Sequence, residues 1–438
     1  MVSHIRYTLL FAIAFLLMPF VCSAGPVMVD TALVQQMQET VRQQQKLLDL
    51  QDDQLRQQSQ SLESIRQQIT TMQKADPPRK VPTADSSTVI AATAPATTLT
   101  SGTDRVKLAI SGQINRAVSI INDGGAAKIY HLDNNVTNSR IRFVGSLKFS
   151  DDLQLGTRME MAVSPDSSSQ VSQSNQTPGD YFDLRWAEMS LQSKTLGKLS
   201  LGKGDAASKG TVIQDLSCTD VVQYAGISDL SAGMLFRKAD SQHSLTSTQI
   251  RNVFNYRDGL GRQSRLRYDS PNLLGFTLAS SIVSGQRTDL ALYWAGQGYG
   301  FRAVGAAAVA NPRLSNSGLL YDGSFSVLHS ASGLNLTVSG GIQKQTRTKD
   351  ATNLYAKLGW IAHFTRLGYT AFGLDYTYSG NMPASNDRAY SVGAAVVQSF
   401  EKYATELYLQ YRIYSLKQGS GVLLDDMQVS TLGVRVKF

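Results

Sequence analysis

Beyond its first 24 residues, the 438-residue sequence lacks a long apolar run. No later segment has the roughly 18 unbroken apolar residues that a membrane-spanning helix needs, which excludes a helical membrane protein. The mean hydropathy of −0.16 would suit a soluble chain. It also suits a transmembrane β-barrel, because barrel strands alternate apolar and polar residues and average to a bland value.

Cysteine and histidine are scarce too. There are two cysteines, Cys22 near the N-terminus and Cys218, and the five histidines are scattered with no i, i+4 pair. Such a chain offers neither a disulfide framework nor the ligand spacing of a zinc site. It also has no Gly-x-Ser-x-Gly elbow and no phosphate-binding loop ahead of a helix. We therefore expect no metal, no cofactor and no enzymatic activity.

The first 24 residues have the layout of a secretory signal peptide. Arg6 precedes a short apolar core, Leu9–Val21, and small residues end the segment at Ala24, the expected cleavage site. An exported protein does not meet nucleic acid, so the basic pI of about 9.3 does not predict a nucleic-acid partner.

Residues 25–74 carry a heptad repeat of aliphatic residues, with Gln at many of the companion positions. This pattern predicts a helix roughly 58 Å long that buries its apolar stripe by self-association, in our interpretation as a three-stranded coiled coil. A single amphipathic helix docked on another partner is the alternative. Residues 75–104, rich in Pro, Ala, Thr and Ser, predict a flexible linker. The expected coiled-coil core residues are Val34, Val41, Leu48, Leu55, Leu62 and Ile69.

From residue 105 to residue 438, apolar residues alternate with polar ones. Many alternating segments reach ten residues, longer than typical strands of soluble sheets, and Tyr and Phe recur towards their ends. These features favour a membrane barrel over a soluble sandwich, which alternation alone would also fit. We predict an all-β fold, a 16-stranded antiparallel transmembrane β-barrel with an N-terminal α-helical coiled coil. The predicted strands are 105–121, 138–149, 153–163, 180–193, 196–204, 262–271, 274–285, 288–296, 299–311, 316–330, 332–346, 351–363, 367–380, 387–401, 404–416 and 427–438.

The predicted connections alternate between tight turns and longer loops, with a short connection at 286–287 as the exception. Bacterial barrels keep short turns on the periplasmic side and long loops outside, so we expect the coiled coil in the periplasm. The connection at 205–261 has 57 residues, and a loop of that length is usually functional. We expect it to fold into the lumen and narrow it.

Basic residues outnumber acidic ones in the barrel region, 34 to 25 from residue 105 onward. A cation facing mid-bilayer lipid costs ~2–4 kcal/mol. Basic residues at the polar positions of the alternating strands are therefore expected to face the lumen; we call this assignment by alternation strand parity. A cationic lumen would attract anions; the alternative is that its arginines pair with aspartates of loop 205–261. The opposing inward acids are Glu160 and Glu406. The inward basic residues are Arg140, Arg142, Arg158, Arg265, Arg267, Arg302, Lys344, Lys357 and Arg412.

Several segments resemble the general bacterial porins. Opening strands of that kind begin at Val106, at Arg140 (RIRFVG), at Arg185 (RWAEMSL) and at Lys198 (KLSLGKG). Arg267 begins RYDSP, which is similar to the motif that porins carry just after the constriction loop. The heptads ahead of the barrel make the layout similar to that of the DcaP-like porins over nearly the whole mature chain.

The resemblance implies a trimeric barrel with a basic wall, a constriction built by the third long loop, and passage of small anions such as dicarboxylates. Arg140 and Arg185 match wall arginines of porins, whereas Arg142 rests on strand parity alone. The acidic motif that porins carry in the constriction loop is not recognisable in residues 205–261 of this sequence. Glu188 stands where parity requires an apolar residue, which indicates either a subunit interface or a bulge. The candidate loop acids are Asp205, Asp215, Asp220 and Asp229.

Together these features predict a passive outer-membrane diffusion channel, homotrimeric and anion-preferring. Its expected partners are outer-membrane lipid, small anionic solutes and the barrel-assembly machinery; the aromatic last residue, Phe438, resembles the terminus that this machinery reads. Contact of the coiled coil with peptidoglycan is a further hypothesis. Two rivals stay open. One is a structural or adhesive outer-membrane anchor, and the other is an outer-membrane enzyme, which would need a Ser–His pair at the rim.

Overall fold

The computed structural model describes Glu39, Arg42, Gln60 and residues 98–103, 105–179 and 182–438. The predicted signal peptide, the six coiled-coil core positions and most of the predicted linker lie outside the described residues. Within the described residues, no helix has the length and apolar content to cross a membrane.

Sixteen antiparallel strands form one closed sheet. Each strand is hydrogen-bonded to the next, and the last returns to the first, where Gln113 lies opposite Lys437. The predicted all-β, 16-stranded antiparallel barrel is therefore confirmed. The strands are β1 (Val106–Asn122), β2 (Ala127–Asp133 and Arg140–Lys148), β3 (Leu153–Val163), β4 (Phe182–Ser193), β5 (Gly197–Asp205), β6 (Arg262–Asp269), β7 (Phe276–Val283), β8 (Arg287–Gly298), β9 (Phe301–Asn311), β10 (Ser317–His329), β11 (Leu334–Gln345), β12 (Ala351–Thr365), β13 (Gly368–Gly380), β14 (Arg388–Phe400), β15 (Thr405–Lys417) and β16 (Met427–Lys437).

The seam between β1 and β16 ends at Phe438. Its backbone exchanges two hydrogen bonds with Gly112, of 2.6 and 2.9 Å, and its ring lies over that glycine. A Cβ at residue 112 would stand 2.6 Å from the ring carbons, closer than van der Waals contact allows. Glycine at this position therefore lets the terminal aromatic residue close the seam.

Burial alternates along the strands in the opposite sense to that of a soluble protein. On β12 and β13, Leu354, Leu358 and Leu374 are 55%, 62% and 56% exposed, whereas Asn353 and Lys357 are 5% and 1% exposed. Lipid can cover outward leucines, while inward polar groups keep hydrogen-bond partners. The apolar face is thus the outer surface of the barrel.

The second strand is broken in two, which the sequence did not predict. Alternation indicated one strand from residue 138, but Ala127–Asp133 already pairs with β1, and Arg140–Lys148 continues along the same neighbour. The connection between β1 and β2, residues 123–126, is therefore a short turn where a long loop was expected.

Residues 134–139, between the two pieces of β2, fold inward. Gln113 Nε2 donates to the carbonyl oxygens of Thr137 and Asn138, at 2.9 and 2.8 Å. The Asn134 side chain donates to the carbonyl oxygen of Val221 at 2.9 Å. This short excursion therefore connects the wall with the long connection between β5 and β6.

Regular structure also begins earlier than predicted. Leu99–Gly102 forms a short strand antiparallel to Lys107–Ile110 of β1, so the expectation of a linker as far as residue 104 is wrong for these four residues.

The connection between β7 and β8 is short, as the sequence predicted for residues 286–287. The chain turns there within residues 284–286.

A β-bulge on β4 explains Glu188. Glu160 on β3 lies opposite Trp186, and the next residue, Met161, lies opposite Leu184, so Arg185 is the extra residue. A bulge of this kind shifts the alternation by one position. Glu188 then faces the lumen on the same side as Trp186, and the bulge was the correct one of the two explanations.

Lys344 faces away from the lumen, contrary to its prediction. Gln343 beside it is buried, so Lys344 shares the outward side of β11 with Ile342. Its ammonium pairs with Asp350 at 2.6 Å. Because Lys344 stands one residue from the end of its strand, its long side chain can reach water instead of lipid.

The connection between β5 and β6, residues 206–261, is called the long loop below. It contains a hairpin of two short strands, Leu235–Arg237 and Leu245–Gln249, followed by a single helical turn, Ile250–Val253. Phe254, just after that turn, is fully buried, with its ring centroid 5.3 Å from that of Tyr414 on β15. The loop thus shares a hydrophobic core with the inner wall. Outside the loop, a 3-10 turn at Glu401–Tyr403 joins β14 to β15.

Candidate functional site

Four arginines meet one glutamate on the inner wall formed by β2, β3 and β4. Arg142 Nε and Arg158 Nη2 lie 2.6 and 2.9 Å from Oε2 of Glu160. Arg185 Nε and Arg140 Nη1 lie 2.7 and 3.5 Å from Oε1 of the same carboxylate. The structure therefore brings together four of the seven predicted pore arginines. These five residues are called the arginine cluster.

Strand geometry explains how the cluster forms. Arg140 and Arg142 are two residues apart and share one face of β2, and Arg142 lies directly opposite Glu160 on β3. Arg158 lies two residues before Glu160 on the same face. Arg185 is the bulge residue of β4, and the extra residue allows its guanidinium to reach the same carboxylate.

The arginine cluster carries an excess of three positive charges. The Glu160 side chain is 1% exposed, whereas those of Arg142 and Arg158 are 35% and 28% exposed. The carboxylate is therefore saturated, while the guanidinium groups keep N–H donors open to the lumen. Like charges about 4 Å apart repel by roughly 1–4 kcal/mol in such surroundings, so an anion would relieve the repulsion.

Trp186 extends the arginine cluster towards the base of the long loop. The guanidinium carbons of Arg158 and Arg262 lie 3.7 and 5.3 Å from the centroid of the Trp186 ring. Arg262 also pairs with Asp205 at 2.8 Å. A cation over an indole gains about 0.5–1 kcal/mol or more, so Trp186 restricts the orientation of Arg158. Sequence reasoning missed Trp186 and Arg262, because the bulge hid the inward direction of the Trp that follows Arg185.

The long loop is held inside the barrel by a buried lysine on β12. The Lys357 side chain is 0% exposed, and its ammonium contacts the carboxylate of Asp215. It also donates to the hydroxyls of Ser217 and Thr219, at 2.6 and 2.9 Å, and to the carbonyl oxygen of Gln223 at 3.0 Å. Lys357 therefore faces inward as predicted, but it anchors the loop and does not line the lumen.

Further hydrogen bonds attach the long loop along much of the wall. Asp289 on β8 accepts from the Ser208 backbone N–H at 2.8 Å, and Gln410 on β15 donates to the Val222 carbonyl oxygen at 2.9 Å. The loop is thus fixed by polar contacts at many points. The wall residues that bond it include Asp289, Asp322, Ser324, Ser326, Thr337, Lys357, Gln410 and Tyr414.

The other three predicted pore arginines lie apart from the cluster. The Arg265 side chain is 2% exposed and pairs with Glu188 at 2.5 Å, so this arginine faces inward but does not present its charge to the lumen. Arg267 makes a two-bond contact with Asp269, at 2.6 and 3.0 Å. Arg302 stands on β9, five strands from β4. Parity thus indicated the side of each residue, while local partners decide which charges remain open.

The four predicted loop acids occupy different environments. Asp205 is the last residue of β5 and pairs with Arg262, so it lies on the wall and not in the loop. Asp215 is buried at the lysine anchor, and Asp229 is partly buried. Asp220 alone of these four is exposed.

A second buried ion pair lies within the wall. Arg412 on β15 makes two hydrogen bonds to Asp375 on β13, of 2.7 and 2.6 Å, and both side chains are at most 1% exposed. The guanidinium crosses Gly393 of β14, where a Cβ would stand 2.5 Å from the guanidinium carbon. The inward acid Glu406 is likewise neutralised, by Arg435 and Lys437.

Comparison with known proteins bears on the identity of this barrel. The family model of the Gram-negative porin matches residues 86–434. No match was found among curated proteins.

Three solved structures are similar to this chain, and the first two share its fold. The anion-selective porin from Comamonas acidovorans is 14% identical, with a TM-score of 0.52 over 76% of this chain and 100% of that chain. OmpF of Salmonella typhi, in complex with daunomycin, is 12% identical, with a TM-score of 0.51 over 78% of this chain and 100% of that chain. The outer-membrane channel DcaP of Acinetobacter baumannii is 10% identical, with a TM-score of 0.49 over 77% of this chain and 99% of that chain.

The family match spans most of the chain, including all but the end of the closed sixteen-stranded barrel. It identifies the barrel as an outer-membrane channel, and the chain belongs to the Gram-negative porin family.

Proposed function

We propose that this porin is a passive diffusion channel that prefers small anions, with dicarboxylates as the favoured class. The arginine cluster carries the proposal, because four guanidinium groups share the single carboxylate of Glu160. A cationic surface between low-dielectric walls raises the local concentration of anions. Planar guanidinium groups also suit carboxylates, which they bind through paired N–H donors.

Neutralisation of the arginines by the long loop is the alternative, and the ion pairs argue against it. In the described part of the chain, each arginine of the cluster forms its ion pair with Glu160 and none with an aspartate of the loop. Two of the loop carboxylates have lysine partners instead, Lys357 for Asp215 and Lys209 for Asp258. Anion selectivity is also named for the structurally similar porin of Comamonas acidovorans.

Removal of two open charges tests the proposal. In the double variant Arg142→Ala/Arg158→Ala, the excess charge of the cluster falls from three to one. We expect the chloride-to-potassium permeability ratio to fall roughly three- to tenfold, because each lost charge is worth about 0.5 kcal/mol at a distance of about 8 Å in water, and the two together about 1 kcal/mol. The reversal potential in planar bilayers under a KCl gradient measures this ratio.

A matched control removes two positive charges outside the lumen. Lys344→Ala/Lys402→Ala alters exposed lysines, one on the outer side of β11 and one in the 3-10 turn. Its permeability ratio should equal that of the wild type. A cation-selective wild type, or an Arg142→Ala/Arg158→Ala channel as anion-selective as the wild type, would refute the anion preference.

We further propose that the porin is a homotrimer joined by the coiled coil predicted for residues 25–74, and that residues 1–24 direct its export. Val106, the first residue of β1, and Phe438 lie at the same end of the barrel. Most of the connections at this end are short turns, and short turns face the periplasm in bacterial barrels. That orientation puts the coiled coil in the periplasm, where it can approach peptidoglycan. Recognition of Phe438 by the barrel-assembly machinery belongs to the same proposal.

Paired substitutions in the heptads test the assembly proposal. Leu48→Asn/Leu55→Asn puts polar amides at two core positions and should shift the purified protein from trimer towards monomer, because the apolar seam is lost. Lys46→Asn/Asp53→Asn, at positions predicted to face solvent, should leave the trimer intact. Native mass spectrometry or chemical cross-linking reports the stoichiometry. If both variants are trimeric to the same extent as the wild type, the coiled coil does not hold the trimer together and the assembly proposal is wrong.

A further inference from the structure

Arg257, near the end of the long loop, has an unusual set of contacts. Its side chain packs against Gly341 on the inner side of β11. Its guanidinium Nη2 lies 2.6 Å from the sulfur of Met382, in the connection between β13 and β14. A thioether is a weak hydrogen-bond acceptor, so this contact does little to compensate a positive charge.

No carboxylate in the described residues forms an ion pair with Arg257, and its Nε is buried without a hydrogen-bond partner. The desolvation lowers the pKa of Arg257 to about 10, and the group stays charged at neutral pH. Arg251 in the same loop differs, because its guanidinium donates to two backbone carbonyl oxygens. Partly buried charges are normally paired, which leaves Arg257 as a cation in need of an anion.

The backbone holds Arg257 in a defined orientation. Its φ of 60° lies in the left-handed region, which non-glycine residues seldom adopt and which is often retained at functional sites. The Arg257 N–H donates to the side-chain oxygen of Asn255 at 3.0 Å, which stabilises the turn. The guanidinium is therefore presented by a structured turn and not by a free chain.

The position of Arg257 relates it to the arginine cluster. In a closed barrel of sixteen strands, β11 lies eight strands from β3 and therefore on the opposite wall. Met382 belongs to one of the connections at the end of the barrel where the long loop also begins and ends. In the orientation proposed above, this end is the outer mouth.

We propose that Arg257 forms a second anion subsite, at the outer mouth and on the wall opposite the arginine cluster, which takes one carboxylate group of an incoming solute. The proposal rests on the anion preference proposed above and adds a second contact for the same anion, on the opposite wall.

The acids around Arg257 do not compete for its charge. Asp258, the next residue, is paired with Lys209. Asp322 accepts hydrogen bonds from the Gly259 backbone N–H, at 3.2 Å, and from the Thr211 hydroxyl. Both carboxylates therefore already have donors, and a solute anion at Arg257 would not displace a protein carboxylate.

Concentration-dependent conductance tests the subsite. A binding site in a channel makes the single-channel conductance saturate, and succinate can serve as the probe, in planar bilayers with potassium succinate on both sides. We expect Arg257→Gln to raise the half-saturating concentration about three- to tenfold, the equivalent of one net hydrogen bond. Arg257→Lys, which keeps the charge, should remain within about twofold of the wild type.

Lys238→Gln is the matched control, because it removes one positive charge from an exposed position of the same loop; its half-saturating concentration should not move. An unchanged value for Arg257→Gln in an anion-selective wild type would overturn the subsite alone. A cation-selective wild type would overturn the proposed function as well. If Arg257→Gln instead alters open-channel noise and Arg257→Lys does not rescue it, the residue has a merely structural role and the subsite is rejected.

Discussion

Replacing Lys357 with methionine is expected to release the middle of the long loop and to give larger, noisier single-channel currents. The buried ammonium holds four groups of the loop, and its removal leaves the Asp215 carboxylate buried without a counter-charge. Breaking a buried ion pair from one side costs about 3–5 kcal/mol, which exceeds the roughly 0.5–1.5 kcal/mol of an ordinary hydrogen bond to the wall. The loop should therefore leave this part of the wall.

Single-channel recordings and liposome swelling with sugars of increasing size measure the effect, and larger sugars should enter through Lys357→Met. Lys344→Met is the control, because its pair with Asp350 is exposed, with side chains 54% and 35% accessible, and such pairs contribute little. Adding Asp215→Asn to Lys357→Met should recover thermal stability more than it recovers the size limit. Currents and size limits equal to those of the wild type would show that Lys357 is not the anchor.

Arg412→Met is expected to lower the free energy of unfolding of the barrel by about 3–5 kcal/mol. The substitution leaves the Asp375 carboxylate buried on β13, between β12 and β14, without the two guanidinium donors that it has in the wild type. Ion selectivity should not change, because Arg412 is 1% exposed and contributes no open charge to the lumen. Unfolding by urea in lipid vesicles, followed by the gel-mobility difference between folded and unfolded barrel, measures the loss.

The double variant Arg412→Met/Asp375→Leu distinguishes an ion-pair effect from a packing effect. Because both charges are then absent, most of the lost stability should return. Gly393→Ala offers a second check. Its Cβ would overlap the Arg412 guanidinium in the wild type, so the substitution should lower stability there, whereas in Arg412→Met that guanidinium is absent and the loss should be smaller. If the double variant is as unstable as Arg412→Met alone, packing rather than the unpaired carboxylate accounts for the loss.

The membrane explains why much of the barrel could be predicted. Lipid penalises an outward charge, so alternation assigns Arg140, Arg142 and Arg158 to the inner side without any knowledge of the fold, and the structure has them there. The same argument failed for Lys344, because near a strand end the side chain escapes the penalty. Arg185 required the family resemblance, since the bulge at that residue breaks the alternation.

Strand parity predicts whether a side chain faces the lumen or the lipid, but it does not predict which residue that side chain will contact. Lys357 and Arg142 both face inward, yet one is fully buried beneath the long loop and the other is open. Lys357 and Asp215 are 142 residues apart in the chain, and no local pattern connects them. The inward excursion at 134–139 and the stacking on Trp186 depend in the same way on neighbours that only the closed barrel brings together.

The wall residues named above as bonding the long loop, from Asp289 to Tyr414, follow it in the chain. These contacts can form only after the strands from β8 to β15 have joined the barrel. The wall itself closes only when β16 reaches β1, a contact that joins Ser119 to Thr431, 312 residues apart, and pairings of such separation form slowly. We expect a newly inserted channel to pass through a wide, unselective stage and to narrow when the long loop binds its partners on the inner wall. The constriction is then the last part of the pore to form.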